Sequence, residues 1–312
     1  RLSGETVEDL MFPSNPPSET IKNMTQAAGL IRNAMREDMN ITVFGDYDAD
    51  GICSMAILFL LLKALREKVG SAKDIRVRAP RRLTEGYGIS AKAVEEVDDG
   101  LLIVVDNGIA AISEIAKAKE KGLTVLVLDH HIPGEELPCA DVIVDPHLDN
   151  GGESMAFCGA GLSYKLAELL LPDAKDEMLR KKLCSLAAIA TIADSVPMKG
   201  GNRAVVRSGL LAINANLVTQ GLGSIIAACG LSFIDEETIA FKLAPVLNAA
   251  GRLYDDGARY VSGCLAQDTK RMDSLAQKLV AINEERKLMV KDARGEAVEN
   301  LAGDYRAPLV CH

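Results

Sequence analysis

The pattern of apolar and polar positions divides the chain into two parts near residue 150. In the first part, stretches of helical period alternate with five short apolar runs, at 41–45, 75–79, 101–105, 123–128 and 142–144. The third run, Leu-Leu-Ile-Val-Val, is apolar at every position, which is typical of a strand covered on both faces. Strands that alternate with helices predict an α/β fold with a doubly wound parallel sheet.

Helical period dominates the second part of the chain, and β-rich runs are few. The predicted helices are 160–171, 176–193, 203–215, 219–230, 235–243 and 268–300. The last carries apolar residues at helical spacing among many charges, as in a long connecting helix. The predicted organisation is a helical extension (1–40), an α/β core (41–150), a helical remainder (151–265) and a connecting helix with the start of a further domain (266–312).

Composition places the chain among ordinary globular proteins. Its 312 residues are 48% apolar and 25% charged, which excludes coiled coil, collagen and disorder as overall descriptions. No apolar run reaches the roughly 18 residues of a membrane span, and no signal peptide is recognisable. Seven cysteines without a Cys-x-x-Cys pair predict reduced thiols, most of them in the core. These features predict a cytoplasmic protein with no membrane partner.

The acidic balance argues at first against a nucleic-acid substrate. The formal net charge is −9, tryptophan is absent and aromatic residues make up 4% of the chain, whereas phosphate backbones favour basic surfaces. The charges are unevenly distributed, however. Residues 63–82 contain two acidic side chains and eight basic ones: Lys63, Arg66, Lys68, Lys73, Arg76, Arg78, Arg81 and Arg82.

Aspartates accumulate where the predicted strands end, which is where parallel α/β sheets carry their sites. The first strand runs into Asp46-Tyr-Asp48-Ala-Asp50-Gly51. Three carboxylates at this spacing repel one another unless a cation lies between them. A solvated turn and a Ca²⁺ loop are the alternatives, but the loop pattern requires a Glu where Ile57 stands.

Further candidate ligands follow the third and fourth strands and a long apolar helix. These are Asp106, the triplet Asp129-His130-His131, and Asp194. Taken singly, each is also explained as a helix cap or a surface turn. Together, many carboxylates with one or two imidazoles and no cysteine favour Mn²⁺ or Mg²⁺ over structural zinc. Their number predicts two ions with a water between them as nucleophile, and hence hydrolysis of a phosphoester or phosphoanhydride.

These motifs resemble the DHH phosphoesterase superfamily, and within it the RecJ family of single-strand-specific 5′→3′ exonucleases. The resemblance runs in order from residue 40 to 255 through the following stretches: Val43–Gly51, Val105–Ile109, Leu128–Gly134, Gly159–Gly161, Ala193–Pro197, Asn202-Arg203 and Leu247–Leu253. Pyrophosphatases and small-nucleotide phosphodiesterases of the superfamily carry a histidine four residues before the Asp-x-Asp pair. Here that position is Phe44, and Asp46 stands in its place.

The resemblance implies a role for each matching residue. The metal ligands would be Asp46, Asp48, Asp50, Asp106, His130 and Asp194, with Asp106 bridging the two ions. Asp129 would support the histidine pair, and His131 would contact the scissile phosphate or orient a ligand. Arg81 or Arg82, and Asn248 with Arg252, correspond to regions that face the nucleic-acid strand.

The resemblance also implies single-stranded DNA as substrate, a place in DNA repair and recombination, and repair or replication proteins as partners. The family carries a DHH-associated domain after the connecting helix, where this chain stops. Together with a start at Arg1 and a strand-like pattern in the last six residues, this predicts a fragment that keeps the metal site but has weak or no processive nuclease activity. The alternatives are a phosphodiesterase for short oligonucleotides or cyclic dinucleotides, and a non-catalytic DHH module that binds nucleic acid.

Overall fold

Five parallel strands form one sheet in a computed structural model that describes residues 13–148 and 156–300, with Thr6 and Met11. The strands are β1 Ile41–Phe44, β2 Ile75–Arg78, β3 Leu101–Val105, β4 Thr124–Leu128 and β5 Val142–Val144. Their order is β2-β1-β3-β4-β5, so the direction of winding reverses between β1 and β3. All pairings are parallel. The predicted strands are confirmed to within one residue at each end.

Helices make up most of the remaining described chain. Those of the first part are α1 Met24–Arg36, α2 Ala49–Val69, α3 Arg82–Glu85, α4 Ala91–Glu95 and α5 Ile112–Glu120. Those of the second part are α6 Gly159–Leu170, α7 Glu177–Ala193, α8 Gly200–Asn214, α9 Gln220–Ala228, α10 Glu236–Thr238, α11 Ala244–Leu253, α12 Gly257–Leu265 and α13 Asp273–Asn300.

Each face of the sheet is covered by its own helical layer. Alternate residues of β3 point to opposite faces. Ile103 and its neighbours on that face join the large core formed with α1, α2, α6 and α7. Val104 faces a smaller core formed with α4 and α5, which includes Val94 and Ile115. A sheet covered on both faces explains the all-apolar strand and confirms the doubly wound α/β prediction.

The helical part differs from the prediction around residue 243. Instead of ending there, the helix passes through a π-helical turn, Ile239–Leu243, and continues as α11. Pro245 lies in the first turn of α11, directly after the π turn, and proline cannot donate the backbone hydrogen bond of a regular helix at that point. Helix α12 was not predicted, because it begins at a glycine, Gly257, directly after the turn-like residues Asp255 and Asp256. Together these elements place Asn248 and Arg252 on one helix.

The long final helix is packed only along its first half. Ala276 and Leu279 are buried in the core, whereas Leu288, Met289 and Val290 are each more than half exposed. The predicted strand-like end at 307–312 and the predicted boundary at residue 150 lie outside the described residues. Within the described ranges, no helix is long and apolar enough to cross a membrane.

Six cysteines fall within the described residues, and all of them are free thiols. Cys53, Cys158, Cys184 and Cys264 are buried, as the sequence predicts for core thiols. Burial raises the pKa of the Cys53 thiol well above its ordinary value, and nearby aspartates add to the effect. The buried thiols are therefore unreactive packing groups.

Candidate metal centre

The polar site lies along the edge formed by the carboxyl ends of the strands, at the point where the winding reverses. Asp106 directly follows β3, and Asp129 directly follows β4. The segment from Asp46 to Asp50 connects β1 to α2. Crevices at such switch points are the usual ligand sites of doubly wound sheets. Parallel pairing thus brings together groups that are up to 83 residues apart in the sequence, from Asp46 to Asp129, and the end of α7 adds Asp194.

One ring nitrogen of His130 lies among three carboxylates. Its Nε2 atom is 3.0 Å from Oδ1 of Asp106, 3.5 Å from Oδ2 of Asp50 and 3.8 Å from Oδ2 of Asp194. Ligand atoms of Asp106, His130 and His131 form one cluster that could hold a metal ion. Those of Asp50, His130 and Asp194 form a second cluster. His130 belongs to both clusters and connects them.

Asp50 joins the sheet to the helical part of the molecule. Its Oδ2 accepts a hydrogen bond from the Gly159 amide at 2.7 Å, and its Oδ1 accepts one from the Ala160 amide at 2.8 Å. These are the first two amides of α6, which have no partner within that helix. The positive end of the helix therefore stabilises this buried carboxylate.

Gly159 permits this close approach. A Cβ atom at this position would lie 2.8 Å from Cβ of Asp106 and 3.1 Å from Oγ of Ser54. Real Cβ atoms essentially never come within 3.0 Å of another heavy atom, so the contact with Asp106 means that any larger residue would push α6 away from Asp50. The Ser54 hydroxyl is buried and has no hydrogen-bond partner in the described structure.

Asp46 and Asp48 lie beside the two clusters rather than within them. Asp48 is the N-cap of α2, and its Oδ1 accepts hydrogen bonds from the amides of Asp50 and Gly51. Oδ1 of Asp46 accepts from the Tyr47 amide at 2.8 Å. Capping explains why an aspartate begins this helix. The structure therefore gives Asp48 a structural role next to its predicted one as a ligand.

Two residues of the site region have left-handed backbone conformation. Asp106 has φ 59°, and Ser195, which follows Asp194 at the end of α7, has φ 59° as well. This conformation is uncommon for residues other than glycine and is concentrated at functional sites. Asp and Asn tolerate it better than most residues. The Asp106 amide still pairs with the Leu128 carbonyl at 2.9 Å.

The electrostatics of the site favour a bound cation. Burial raises the pKa of Asp106 well above its ordinary value, and the charges of Asp50 and Asp48 raise it further. Burial and the charge of Asp50 likewise raise the pKa of Asp194 to about 6. Burial also raises the pKa of Asp46 to about 6. A divalent cation would offset this repulsion between carboxylates.

The spacing of the donor atoms fits the same conclusion. Ligands on adjacent octahedral positions around Mg²⁺ lie about 3 Å apart, which is close to the separation of His130 Nε2 from Asp106 Oδ1. Carboxylate oxygens with one imidazole suit Mg²⁺ or Mn²⁺. The residues present therefore fit a metal centre of the predicted type.

Asp129 holds the second histidine. Its Oδ1 accepts from Nδ1 of His131 at 2.7 Å and from the His130 amide at 2.8 Å, while its Oδ2 accepts from the Ile109 amide at 2.9 Å. The hydrogen bond to Asp129 raises the pKa of His131 to about 9. The raised pKa favours the protonated form of His131, whose side chain is 58% exposed beside the carboxylates.

The two predicted arginines at the end of β2 differ in their contacts. The Arg82 guanidinium lies over the Tyr47 ring, 4.7 Å from its centroid, and 5.6 Å from the centroid of Tyr87. Tyr87 is 72% exposed, so the stack reaches the surface. Arg81 instead lies 3.9 Å from Glu85 and 3.9 Å from Asp256. Arg82 is therefore the better placed of the two for a ligand.

Helix α11 brings the other predicted pair toward the same loop. A Cβ atom at Gly251 would lie 2.4 Å from the Tyr47 carbonyl oxygen, so glycine lets the helix contact the backbone between Asp46 and Asp48. Arg252 is exposed, and the Oδ1 atom of Asn248 is buried without a hydrogen-bond partner in the described structure. Both residues thus lie on a helix that touches the site.

Several residues of the site were not predicted from the sequence. Gly159 belonged to a recognised stretch, yet its contact with Asp106 depends on tertiary packing. Tyr87 lies between two glycines, and this turn-like setting was the sequence feature that could have marked it as an exposed aromatic residue. Asp145, directly after β5, continues the series of strand-end aspartates, but the following Pro146 made it resemble a turn.

Comparison with known proteins gives consistent matches. Residues 40–191 match the model of the DHH family, N-terminal domain. The chain is 37% identical over 287 residues to the single-stranded-DNA-specific exonuclease RecJ of Bacillus subtilis (strain 168), a match that covers 89% of this chain. It spans only 35% of the length of that relative.

Solved structures agree with the sequence match. The crystal structure of exonuclease RecJ bound to manganese superposes with a TM-score of 0.77 at 34% identity, covering 90% of this chain and 70% of that one. RecJ of Thermus thermophilus in complex with Mg²⁺ gives a TM-score of 0.66 at 29% identity, covering 96% of this chain and 39% of that one. The chain therefore belongs to the RecJ family of DHH-domain proteins.

Proposed function

We propose that this chain carries the catalytic core of a metal-dependent exonuclease that hydrolyses single-stranded DNA from the 5′ end. The observation that carries the proposal is the convergence of Asp50, Asp106 and Asp194 on His130 Nε2 at the switch point of the sheet. The names of the family members support the substrate. The 5′→3′ direction rests on the family resemblance.

Two Mn²⁺ or Mg²⁺ ions would be held by Asp50, Asp106, His130 and Asp194, with Asp46 and Asp48 beside them. The solved relatives with manganese and magnesium support this choice of ions. Bound there, the ions would lower the pKa of a water molecule and offset the charge that develops on the phosphoryl group. Asp106, which contacts the shared histidine, is the proposed bridging carboxylate.

The protein's own groups would hold the phosphate and the strand. The His131 imidazolium, oriented by Asp129, would donate a hydrogen bond to a non-bridging oxygen of the scissile phosphate. The stack of Arg82 on Tyr47 and Tyr87 would offer a surface to a nucleobase. Arg252 and Asn248 would contact the strand from α11. These assignments give each predicted residue a contact that can be tested.

Action in DNA repair and recombination, in the cytoplasm and beside repair or replication proteins, is part of the same proposal. Membership of the RecJ family supports it. Because the chain covers 35% of the length of the Bacillus relative, activity is measured on the 312-residue chain and, for comparison, on that full-length relative.

The test supplies Mn²⁺ with a 5′-tailed DNA, a cyclic dinucleotide and a linear dinucleotide, and Asp106→Asn is the control variant. Release of mononucleotides from the DNA alone is expected. Preferred turnover of either dinucleotide would instead establish the small-substrate phosphodiesterase. Binding of the DNA without its hydrolysis would establish a non-catalytic module. Activity that survives Asp106→Asn would contradict the metal mechanism.

A further inference from the structure

A second aspartate–histidine pair follows β5 in the same way that Asp129 and His131 follow β4. Oδ1 of Asp145 accepts hydrogen bonds from the backbone N–H of His147 at 2.8 Å and from its Nδ1 at 3.1 Å. The corresponding distances from Asp129 to His131 are 3.3 and 2.7 Å. In both pairs the aspartate is buried and the histidine side chain is about half exposed.

The two pairs lie side by side on neighbouring strands. Leu128 pairs with Val144, and the Asp129 amide donates to the Val144 carbonyl at 3.0 Å, so the ladder continues into both motifs in register. Neighbouring strands are about 4.8 Å apart. Burial raises the pKa of Asp145, and the charge of Asp129 contributes to the rise, as expected for carboxylates this close.

The β5 motif repeats only one half of the β4 motif. Pro146 occupies the position of His130, whose Nε2 lies among the carboxylates. No metal cluster within the described ranges includes Asp145 or His147. The β5 motif repeats the aspartate and the exposed imidazole that it orients. In the proposed function, the equivalent imidazole of the β4 motif, His131, faces the substrate.

The geometry of the pair favours an anionic ligand. Because Nδ1 is directed to Asp145, Nε2 is the ring nitrogen left to face solvent. When the ring carries a proton on each nitrogen, Nε2 can donate to a phosphate oxygen while Nδ1 donates to Asp145. Oδ2 of Asp145 is buried with no hydrogen-bond partner in the described structure. A carboxylate left half-paired is unfavourable for stability, which argues that it serves to orient the ring.

We infer that His147 binds a non-bridging oxygen of the backbone phosphate next to the scissile one, with Asp145 as its positioning residue. This inference rests on the proposed function, since it places the substrate strand across the ends of β4 and β5. It extends the phosphate contacts by one strand of the sheet, on the side away from Arg82.

The test pairs His147→Ala with single neutral linkages in the DNA. Oligothymidylates that carry one methylphosphonate, at each of the first four linkages in turn, are bound to the 312-residue chain in EDTA and measured by fluorescence anisotropy. At one of these linkages, the methylphosphonate should weaken binding of the DNA to the unaltered chain about tenfold, because one charge-assisted hydrogen bond is lost. The same group should have no effect on His147→Ala.

Two further variants separate contact from folding. His147→Asn should reproduce the loss if the alanine variant folds poorly, and Asp145→Asn should weaken the same linkage effect without abolishing it. Lys278→Ala, which removes an exposed cation on α13, should leave all linkage effects unchanged. Circular dichroism and thermal melts check that each variant is folded.

The outcomes distinguish this inference from the proposed function. If no linkage effect disappears in the His147 variants, the inference is wrong, even where the unaltered protein degrades DNA with Mn²⁺. If one linkage effect disappears but the protein degrades no DNA with Mn²⁺, the phosphate contact stands and the proposed exonuclease activity fails. In Mn²⁺, the His147 variants should raise KM about tenfold and change kcat less than about twofold. A fall in kcat alone would contradict a binding role.

Discussion

Asp106 is a buried carboxylate in left-handed backbone, and it lies 3.0 Å from the His130 ring nitrogen. In the absence of a cation, its charge is unfavourable because burial and Asp50 both oppose ionisation. Such a residue trades stability for function. Asn preserves the shape and tolerates the backbone conformation, so it isolates the effect of the charge.

Asp106→Asn is expected to raise the free energy of unfolding of the metal-free chain by about 1 kcal/mol. Its melting temperature should rise accordingly. The substitution should also remove most of the stabilisation by Mn²⁺ and lower DNA cleavage by more than about a hundredfold. Thermal melts in EDTA and in Mn²⁺ measure the first two effects. Asp292→Asn, an exposed position on α13, is the control. A metal-free variant less stable than the unaltered chain would contradict this account.

At the scale of elements, the close approach of α6 to the strand ends depends on the absence of a side chain at Gly159. Gly159→Ala would place its Cβ atom 2.8 Å from Cβ of Asp106. It would also displace the two amides from which Asp50 accepts hydrogen bonds. We expect a loss of about 2 kcal/mol or more in the free energy of unfolding together with weaker Mn²⁺ binding. Denaturant titration and calorimetry measure the two.

Gly29→Ala is the matched control for this prediction. Gly29 lies within α1, and a Cβ atom there meets nothing within 4 Å. The helix should therefore tolerate or benefit from alanine, by up to about 1 kcal/mol. Equal destabilisation by both substitutions would show that contact with Asp106 is not the cause.

Helix α3, which begins with Arg82, is tied to β2 by an ion pair. Arg78 donates to Glu85 at 2.9 Å and to Glu96 at 2.8 Å, and the Glu85 side chain is only 4% exposed. Burial alone would raise the pKa of Glu85, but the hydrogen bonds from Arg78 and the Arg81 amide outweigh it and lower the pKa. A carboxyl group with a lowered folded pKa contributes stability above its unfolded pKa and loses it as the pH falls.

Glu85→Gln should therefore destabilise the chain by about 1 kcal/mol at pH 7. The difference from the unaltered chain should shrink below about pH 4.5, the ordinary glutamate value. Urea titrations between pH 3 and 7 measure it. Glu177→Gln, which removes an exposed pair with Lys181, should have little effect. A difference that is constant with pH would contradict an ionised Glu85.

The elements differ in how far the sequence could predict them. Runs such as 101–105 are apolar throughout and are followed by aspartate, so the strands, their parallel direction and the strand-end carboxylates were predictable. The π turn before Pro245 was not, because its geometry follows from packing rather than from periodicity. The second hydrogen-bonding role of Asp48 and Asp50 was equally hidden, since capping and metal binding both select aspartate.

At the scale of the whole molecule, the basic stretch at 63–82 is less available to DNA than its composition indicates. Arg66 is buried and paired with Asp38, Lys68 lies 2.6 Å from Asp176, and Arg78 is held by two glutamates. These charges bind the fold together. The positive charge at the site comes instead from His131, Arg82 and any bound ions.

The 312-residue chain is therefore expected to bind single-stranded DNA through few phosphates. The logarithm of its binding constant should fall linearly with the logarithm of the salt concentration. The magnitude of the slope should be smaller than about 3, which corresponds to about four phosphate contacts or fewer. Fluorescence anisotropy between 50 and 300 mM NaCl measures the slope. A slope near 6 would indicate a broad basic surface and contradict the pairing of these side chains.

Asp48 and Asp50 each accept hydrogen bonds at the start of a helix, α2 and α6 respectively. Alanine at Asp48 removes both a candidate ligand and the cap of α2, and alanine at Asp50 releases the first two amides of α6. Inactive alanine variants at these positions would thus report misfolding and lost metal binding as one effect. Asparagine at Asp48 keeps an oxygen for the cap and removes the charge, so that variant separates the two effects.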